Sequence, residues 1–140
     1  IPPLLGREFE NCKLDCRSIV MDCYMLAGVE ILDSSEYEFN WFERENLYEE
    51  GMQRCGFHRL MHDDDIQLGD VVLFQVGSKV ANHAAVYLGN QMLLHHSQGR
   101  LSSRVPYDGF WLNVTHSVWR FKEWYKLNFM AILNDLQARR

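Results

Sequence analysis

The side chains best suited to covalent chemistry in this sequence are four cysteines, Cys12, Cys16, Cys23 and Cys55, and the histidines His83, His95 and His96. A cysteine attacks a carbonyl as its thiolate, so it needs a base in reach and a third group to orient that base. A helix start favours the thiolate, because unpaired N–H groups and the positive end of the dipole lie there. Of the four, only Cys16 falls at the first turn of a predicted helix, and its thiol is expected to be acidified. Cys12 lies in the preceding loop, Cys23 two turns down the buried face, and Cys55 at a helix end. By itself the position of Cys16 is commoner for a buried structural cysteine. His83 opens a predicted strand whose next residues, Ala84 and Ala85, are small enough to let another element approach. The following strand ends in His95-His96 across a Gly89-Asn90 turn, so a hairpin can bring one of this pair beside His83. Side chains alternate across a sheet, so only one of the two can share its face.

The elements that must hold these groups follow from periodicity. Cys16, Ile19, Val20, Cys23 and Leu26 recur at the spacing of one helix face over Cys16 to Ala27, with Asp15 placed as N-cap and Gly28 as a left-handed C-terminal residue. Ser35-Glu36-Tyr37-Glu38 has the form of a capping box. A second helix is predicted over much of Glu45 to Cys55, ended by Gly56. Beyond the acidic loop His62-Asp63-Asp64-Asp65 the pattern changes to strands: Asp70 to Val76, Asn82 to Leu88 and Gln91 to His96. Further strand candidates are Arg100 to Val105 and Trp111 to Arg120, around the turn Pro106-Tyr107-Asp108-Gly109. Phe129, Ile132, Leu133 and Leu136 form a final helical stripe, which either the domain itself or a partner must cover. Helices first and a meander of strands after make an α+β order.

A chain of 140 residues, 47% hydrophobic, is long enough for one domain with a real core. Its formal net charge of -5, with no large basic cluster, excludes the phosphate neutralisation on which nucleic-acid binding rests. No apolar run approaches the roughly 20 residues of a membrane-spanning helix. The opening Ile1-Pro2-Pro3-Leu4-Leu5 lacks the charged region and long apolar core of a signal peptide. It also lacks an initiator Met, as in a processed product or a fragment. The cysteine spacings match no common zinc pattern, and no metal is expected. Cysteines in an ordinary core need no bridges, which fits synthesis in a reducing compartment. The acidic loop lacks the alternating ligands of a calcium site and reads as a solvated turn.

Several motifs then agree in order and spacing. Asp15-Cys16, Leu68-Gly69-Asp70-Val71-Val72-Leu73-Phe74, and Asn82-His83-Ala84-Ala85-Val86-Tyr87-Leu88-Gly89-Asn90 with a following His resemble the NlpC-type cell-wall peptidases. Gly6-Arg7-Glu8-Phe9, Asn46-Leu47-Tyr48 and Leu94-His95-His96 with Gly99-Arg100-Leu101-Ser102-Ser103-Arg104 resemble, within that group, the tail-tip assembly proteins of lambda-like phages. The resemblance runs from about Gly6 to Arg120. It implies a papain-like fold with the nucleophile at a helix start packed on an antiparallel sheet, over residues 1–120. Residues 121–140 would be a helical extension, read as a docking element. Cys16 would be the nucleophile and His83 the base. The family's third member usually follows the second by 12 residues, which falls on His95. Phe9, Asp15, Arg100 and Arg104 are the candidates to face substrate; the guanidinium groups of Arg100 and Arg104 either hold carboxylates of a stem peptide or are structural. Phe9 stands where many members have Tyr, and Arg17 where they have a small residue. The implied activity is cleavage of a γ-D-glutamyl to diamino-acid bond in peptidoglycan, without cofactor or metal. The implied setting is a virion tail tip, made in the host cytoplasm and acting at the cell wall among other tail-tip proteins. The rival is a structural tail-tip subunit that keeps the fold with little or no activity.

Overall fold

A computed structural model of the 140-residue chain describes residues 1–11, 13–31 and 47–137. Cys12, the proposed capping box at Ser35 to Glu38, and Asn46 lie outside them. Helix α1 runs Cys16–Leu26. Its start is set by Asp15, whose carboxylate accepts from the backbone N–H groups of Arg17 and Ser18, while Ser18 Oγ accepts from the Asp15 N–H at 2.8 Å. This reciprocal pairing satisfies N–H groups that a helix start otherwise leaves open. The helix ends where Gly28 takes φ +93°, a region that glycine enters without a Cβ penalty. Helix α2 runs Leu47–Arg54.

Six strands follow: β1 Phe57–Arg59, β2 Val71–Phe74, β3 His83–Tyr87, β4 Met92–His95, β5 Ser103–Pro106 and β6 Thr115–Phe121. They form one antiparallel sheet in the order β1-β6-β2-β3-β4-β5. A short helix α3, Gly109–Asn113, a 3-10 turn at Trp124–Lys126 and helix α4, Phe129–Gln137, complete the chain. Both faces of the central strands are covered, so β2 and most of β3 are buried continuously rather than alternately. Val71, Leu73, Ala84, Val86 and Leu94 meet Ile19, Val20, Cys23 and Tyr24 of α1 and Ile132 and Leu136 of α4. Val72, Phe74, Ala85, Tyr87 and Leu93 face the other way, against Tyr107, Trp111 and Val118.

Two expectations change here. Trp111 lies in α3, not in a strand: Trp111 N–H bonds to Asp108 C=O and Val114 N–H to Phe110 C=O, so the chain makes a helical turn before β6 begins. The strand-prone residue types there are overridden by packing of Trp111 onto the sheet. Strand β1, three residues long, was absent from the expected set. The stripe of α4 packs on its own domain: Ile132 and Leu136 are buried in the main core, and Asp135 accepts from the Leu4 N–H at 3.0 Å.

Candidate active site

Cys16 is the first residue of α1 and is buried, with 8% of the residue exposed. Its sulfur lies 2.8 Å from the Tyr48 hydroxyl of α2. Burial pushes the thiol up to about 11, and the adjacent Asp15 carboxylate adds to the rise. Hydrogen bonds from Tyr48 and from the backbones of Ala84 and Cys16 act in the opposite sense and are outweighed. The expected acidification at the helix start is therefore overturned. The dipole effect is worth about 1 kcal/mol at a helix end, whereas burying a charge without a counter-ion costs several. The resting group is a neutral thiol.

His83 is held by the loop in front of it. Asn82 accepts from the Val76 N–H and donates to the Val76 C=O, both at 2.9 Å, and its own N–H bonds to Phe74 C=O. That clamp closes the connection between β2 and β3 and presents His83 as the first residue of β3. The next residue, Ala84, is the one whose backbone bonds to the Cys16 sulfur, so the thiol lies against the start of this strand, one residue along the chain from His83.

Ala85 pairs with His95 across β3 and β4, which puts His83 and His95 diagonally on one face. His83 Nε2 and His95 Nδ1 are 2.9 Å apart. For His83 Nδ1 to accept a proton, its own proton must sit on Nε2 and be donated to His95 Nδ1. That arrangement uses the single lone pair of His95 Nδ1, and Ser97 Oγ lies 3.4 Å from the same nitrogen. Burial lowers His83 to about 3 and His95 to about 4, with neighbouring histidines adding to both shifts. Both are neutral near pH 7. Trp111 stacks on His83, with ring centroids 5.3 Å apart and planes at 29°, and meets His95 edge-on at 4.8 Å.

His96 faces the opposite side. It is fully buried, its Nε2 donates to Arg100 C=O at 3.0 Å, and Phe9 packs edge-on against its ring. Asp15 spends its carboxylate on the helix cap. Arg100 and Arg104 are exposed, and neither hydrogen-bonds to Cys16, His83 or His95 among the described residues. Between them, Ser102 ties down the N-terminal segment: its hydroxyl accepts from Arg7 N–H and donates to Leu4 C=O. Arg7 itself is buried, bonded to Pro2 and Pro3 carbonyls and paired with Asp22 at 2.9 Å. Sequence reasoning passed over Tyr48 and Trp111 as site residues, because neither has a periodic relation to the histidines or to Cys16. Among the described residues, no group of three or more His, Cys, Asp and Glu is gathered as a metal site, and no helix is long and apolar enough to cross a membrane.

Residues 6–120 match the NlpC/P60 family. The chain is 40% identical over 138 residues to the tail tip assembly protein K of Escherichia phage lambda, covering 99% of this chain and 69% of that protein. It is 38% identical over 125 residues to the tail tip assembly protein K of Escherichia phage N15, covering 86% of this chain and 50% of that protein. It thus spans only part of the length of either relative.

Proposed function

Because the chain belongs to the NlpC/P60 family, we propose that it is the cysteine peptidase domain of a phage tail tip protein, which cleaves the γ-D-glutamyl to diamino-acid bond of a peptidoglycan stem peptide. The observation that carries this reading is the 2.9 Å bond between His83 Nε2 and His95 Nδ1 at the strand start beside Cys16. With the His83 proton on Nε2 and donated to His95 Nδ1, His83 Nδ1 is free to act as the base. Cys16 Sγ attacks the scissile carbonyl carbon while its proton passes to His83 Nδ1. The carbonyl electron pair moves to oxygen, held by the Cys16 N–H. Collapse of this adduct breaks the C–N bond, and His83 returns the proton to the leaving amine. Water, deprotonated by His83, then hydrolyses the thioester and restores the thiol.

Because thiol and imidazole rest neutral, the proton moves during attack rather than before it. Arg100 and Arg104, both exposed, are assigned to the carboxylates of the stem peptide, with Phe9 and Asp15 bounding the substrate side of the nucleophile. Residues 121–140 are assigned to attachment to neighbouring tail proteins, through the face of α4 that the core does not take up. The test is digestion of purified stem-peptide muropeptides with products identified by mass. Cleavage at the named bond, lost in Cys16→Ser, is expected. A wild-type protein that leaves every stem peptide intact would overturn the reading.

The second reading, a structural tail-tip subunit without turnover, draws on one observation: burial holds the Cys16 thiol at about 11. Normal tail assembly by Cys16→Ser together with an inert wild-type domain would favour it.

A further inference from the structure

Helix α2 is not used by the chemistry described above, yet it delivers a hydroxyl to the reacting sulfur. Tyr48 Oη lies 2.8 Å from Cys16 Sγ. With Cys16 as a thiol, either atom can be the donor; with a thiolate, only the phenol can. Hydrogen bonds to a charged acceptor are roughly twice as strong as neutral ones. The interaction therefore strengthens as the sulfur becomes charged, as a catalytic contact must.

The hydroxyl is delivered by an anchored element. Glu49, the next residue, takes a 2.8 Å bond from His116 Nε2 on β6, and His116 Nδ1 is in turn 2.8 Å from Ser117 Oγ. Helix α2 also packs against β1. These contacts lie on strands β6 and β1, away from the histidine pair on β3 and β4, so they hold Tyr48 independently of the base.

We propose that Tyr48 is a catalytic residue of this chain, acting as a hydrogen-bond donor that follows the negative charge from sulfur to oxygen. At rest its hydroxyl engages the thiol. As the S–H proton passes to His83 Nδ1, the phenol donates to the forming thiolate. Once the C–S bond forms, the sulfur is neutral and the charge sits on an oxygen attached to the same carbon, so a small shift brings the same donor onto the oxyanion beside the Cys16 N–H. The phenol keeps its own proton throughout. In the second half, the donor serves the oxyanion formed when water attacks the thioester. This role rests on the peptidase reading above.

The experiment is Tyr48→Phe, which keeps the ring and removes only the hydroxyl. The first measurement needs no substrate: the pH profile of iodoacetamide alkylation at Cys16, located by peptide mass, with the partly exposed Cys55 as internal reference. The profile is expected to move alkaline, with the Cys16 rate at pH 8 falling on the order of tenfold, one pKa unit in thiolate fraction. The second measurement is turnover of the stem peptide. Here kcat is expected to fall roughly 10- to 100-fold with little change in KM, within the range for loss of one oxyanion donor. Should Tyr48→Phe melt well below wild type, 4-aminophenylalanine placed at position 48 by nonsense suppression replaces it. This weaker, non-acidic donor in the same place is expected to move the alkylation profile alkaline. Superimposed alkylation profiles with unchanged kcat would overturn the role. A wild type that cleaves no stem peptide would overturn the peptidase reading, and the catalytic role with it. The alkylation profile would still decide whether Tyr48 governs the thiol.

Discussion

At Cys16 two physical effects oppose each other, and the outcome defines the resting state of the site. The helix start and three hydrogen bonds favour the thiolate; burial and the Asp15 carboxylate disfavour it and prevail. Asp15→Asn separates the carboxylate's charge from its capping role, since Asn caps about as well as Asp. The variant is expected to keep its melting temperature while Cys16 alkylation at pH 8 rises roughly threefold to tenfold, half to one pKa unit. No change in rate would show that the Asp15 charge does not reach the thiol. The adjacent histidines divide as their faces do. His95→Ala removes the partner of His83 Nε2 and is expected to lower kcat by several powers of ten, as loss of the orienting group does in serine proteases. His96→Ala leaves the pair intact but empties a fully buried site and strands the Arg100 carbonyl, for a loss of about 2 to 4 kcal/mol in stability. Urea unfolding and steady-state kinetics on both variants distinguish the two roles, and reversed phenotypes would contradict the register of β4.

Among the elements, the loop between β2 and β3 positions His83, the proposed base. Asn82 stands in for two missing ladder bonds at Val76. Asn82→Ala leaves those groups unpaired at a cost of about 1 to 3 kcal/mol, and kcat is expected to fall with it because His83 is the next residue. A stability loss with unchanged kcat would place the anchor of His83 elsewhere. What the sequence made legible follows from the same elements. Branched and aromatic runs bounded by turns identified β2, β3 and β4, and helical spacing with an Asp cap and a Gly end identified α1. Cys16 and His83 stood out by their places at a helix start and a strand start, whereas the Gly89-Asn90 hairpin left His95 and His96 open as the partner of His83 and only the family's motif spacing chose His95. Strand β1 escaped because three residues, two of them exposed, carry no period. The short helix around Trp111 escaped because its residues are strand-prone and only the sheet surface decides their conformation. Tyr48 meets Cys16 across a separation of 32 positions, which no local pattern encodes. The reversed sense of the thiol shift escaped for a related reason: burial is a tertiary quantity, whereas a helix start can be read locally.

For the whole molecule, the C-terminal segment is part of what keeps the domain folded. Leu127, Ile132 and Leu136 are buried in the main core, and Asn128 N–H bonds to Ala27 C=O at the end of α1. Removing Leu127 onward exposes apolar surface worth about 1.5 to 3 kcal/mol per buried side chain, a large share of a typical stability of about 5 to 15 kcal/mol. The truncated chain is expected to melt far below the full one by circular dichroism; an unchanged melting temperature would leave tail docking as the segment's sole use. Stability should also depend on pH through the buried histidines. Their folded values, about 3 and about 4, lie below the unfolded value of about 6.5, so the unfolded chain binds more protons in between. This contribution is present above about pH 6.5 and is lost as pH falls toward 4 and 3. The melting temperature should fall from pH 7 to pH 4.5, and less steeply in a His83→Gln, His95→Gln double variant; equal slopes would contradict the burial assigned to the pair. The central claim, that Cys16 forms an acyl bond to a stem peptide with His83 and His95 behind it, is tested most directly by acid-quenching the protein during turnover and mapping the mass at Cys16. A thioester of the γ-glutamyl fragment on the Cys16 peptide, absent in Cys16→Ser and greatly reduced in His95→Ala, is the predicted result. Stem-peptide cleavage that persists in Cys16→Ser with no adduct on the wild-type peptide would contradict it.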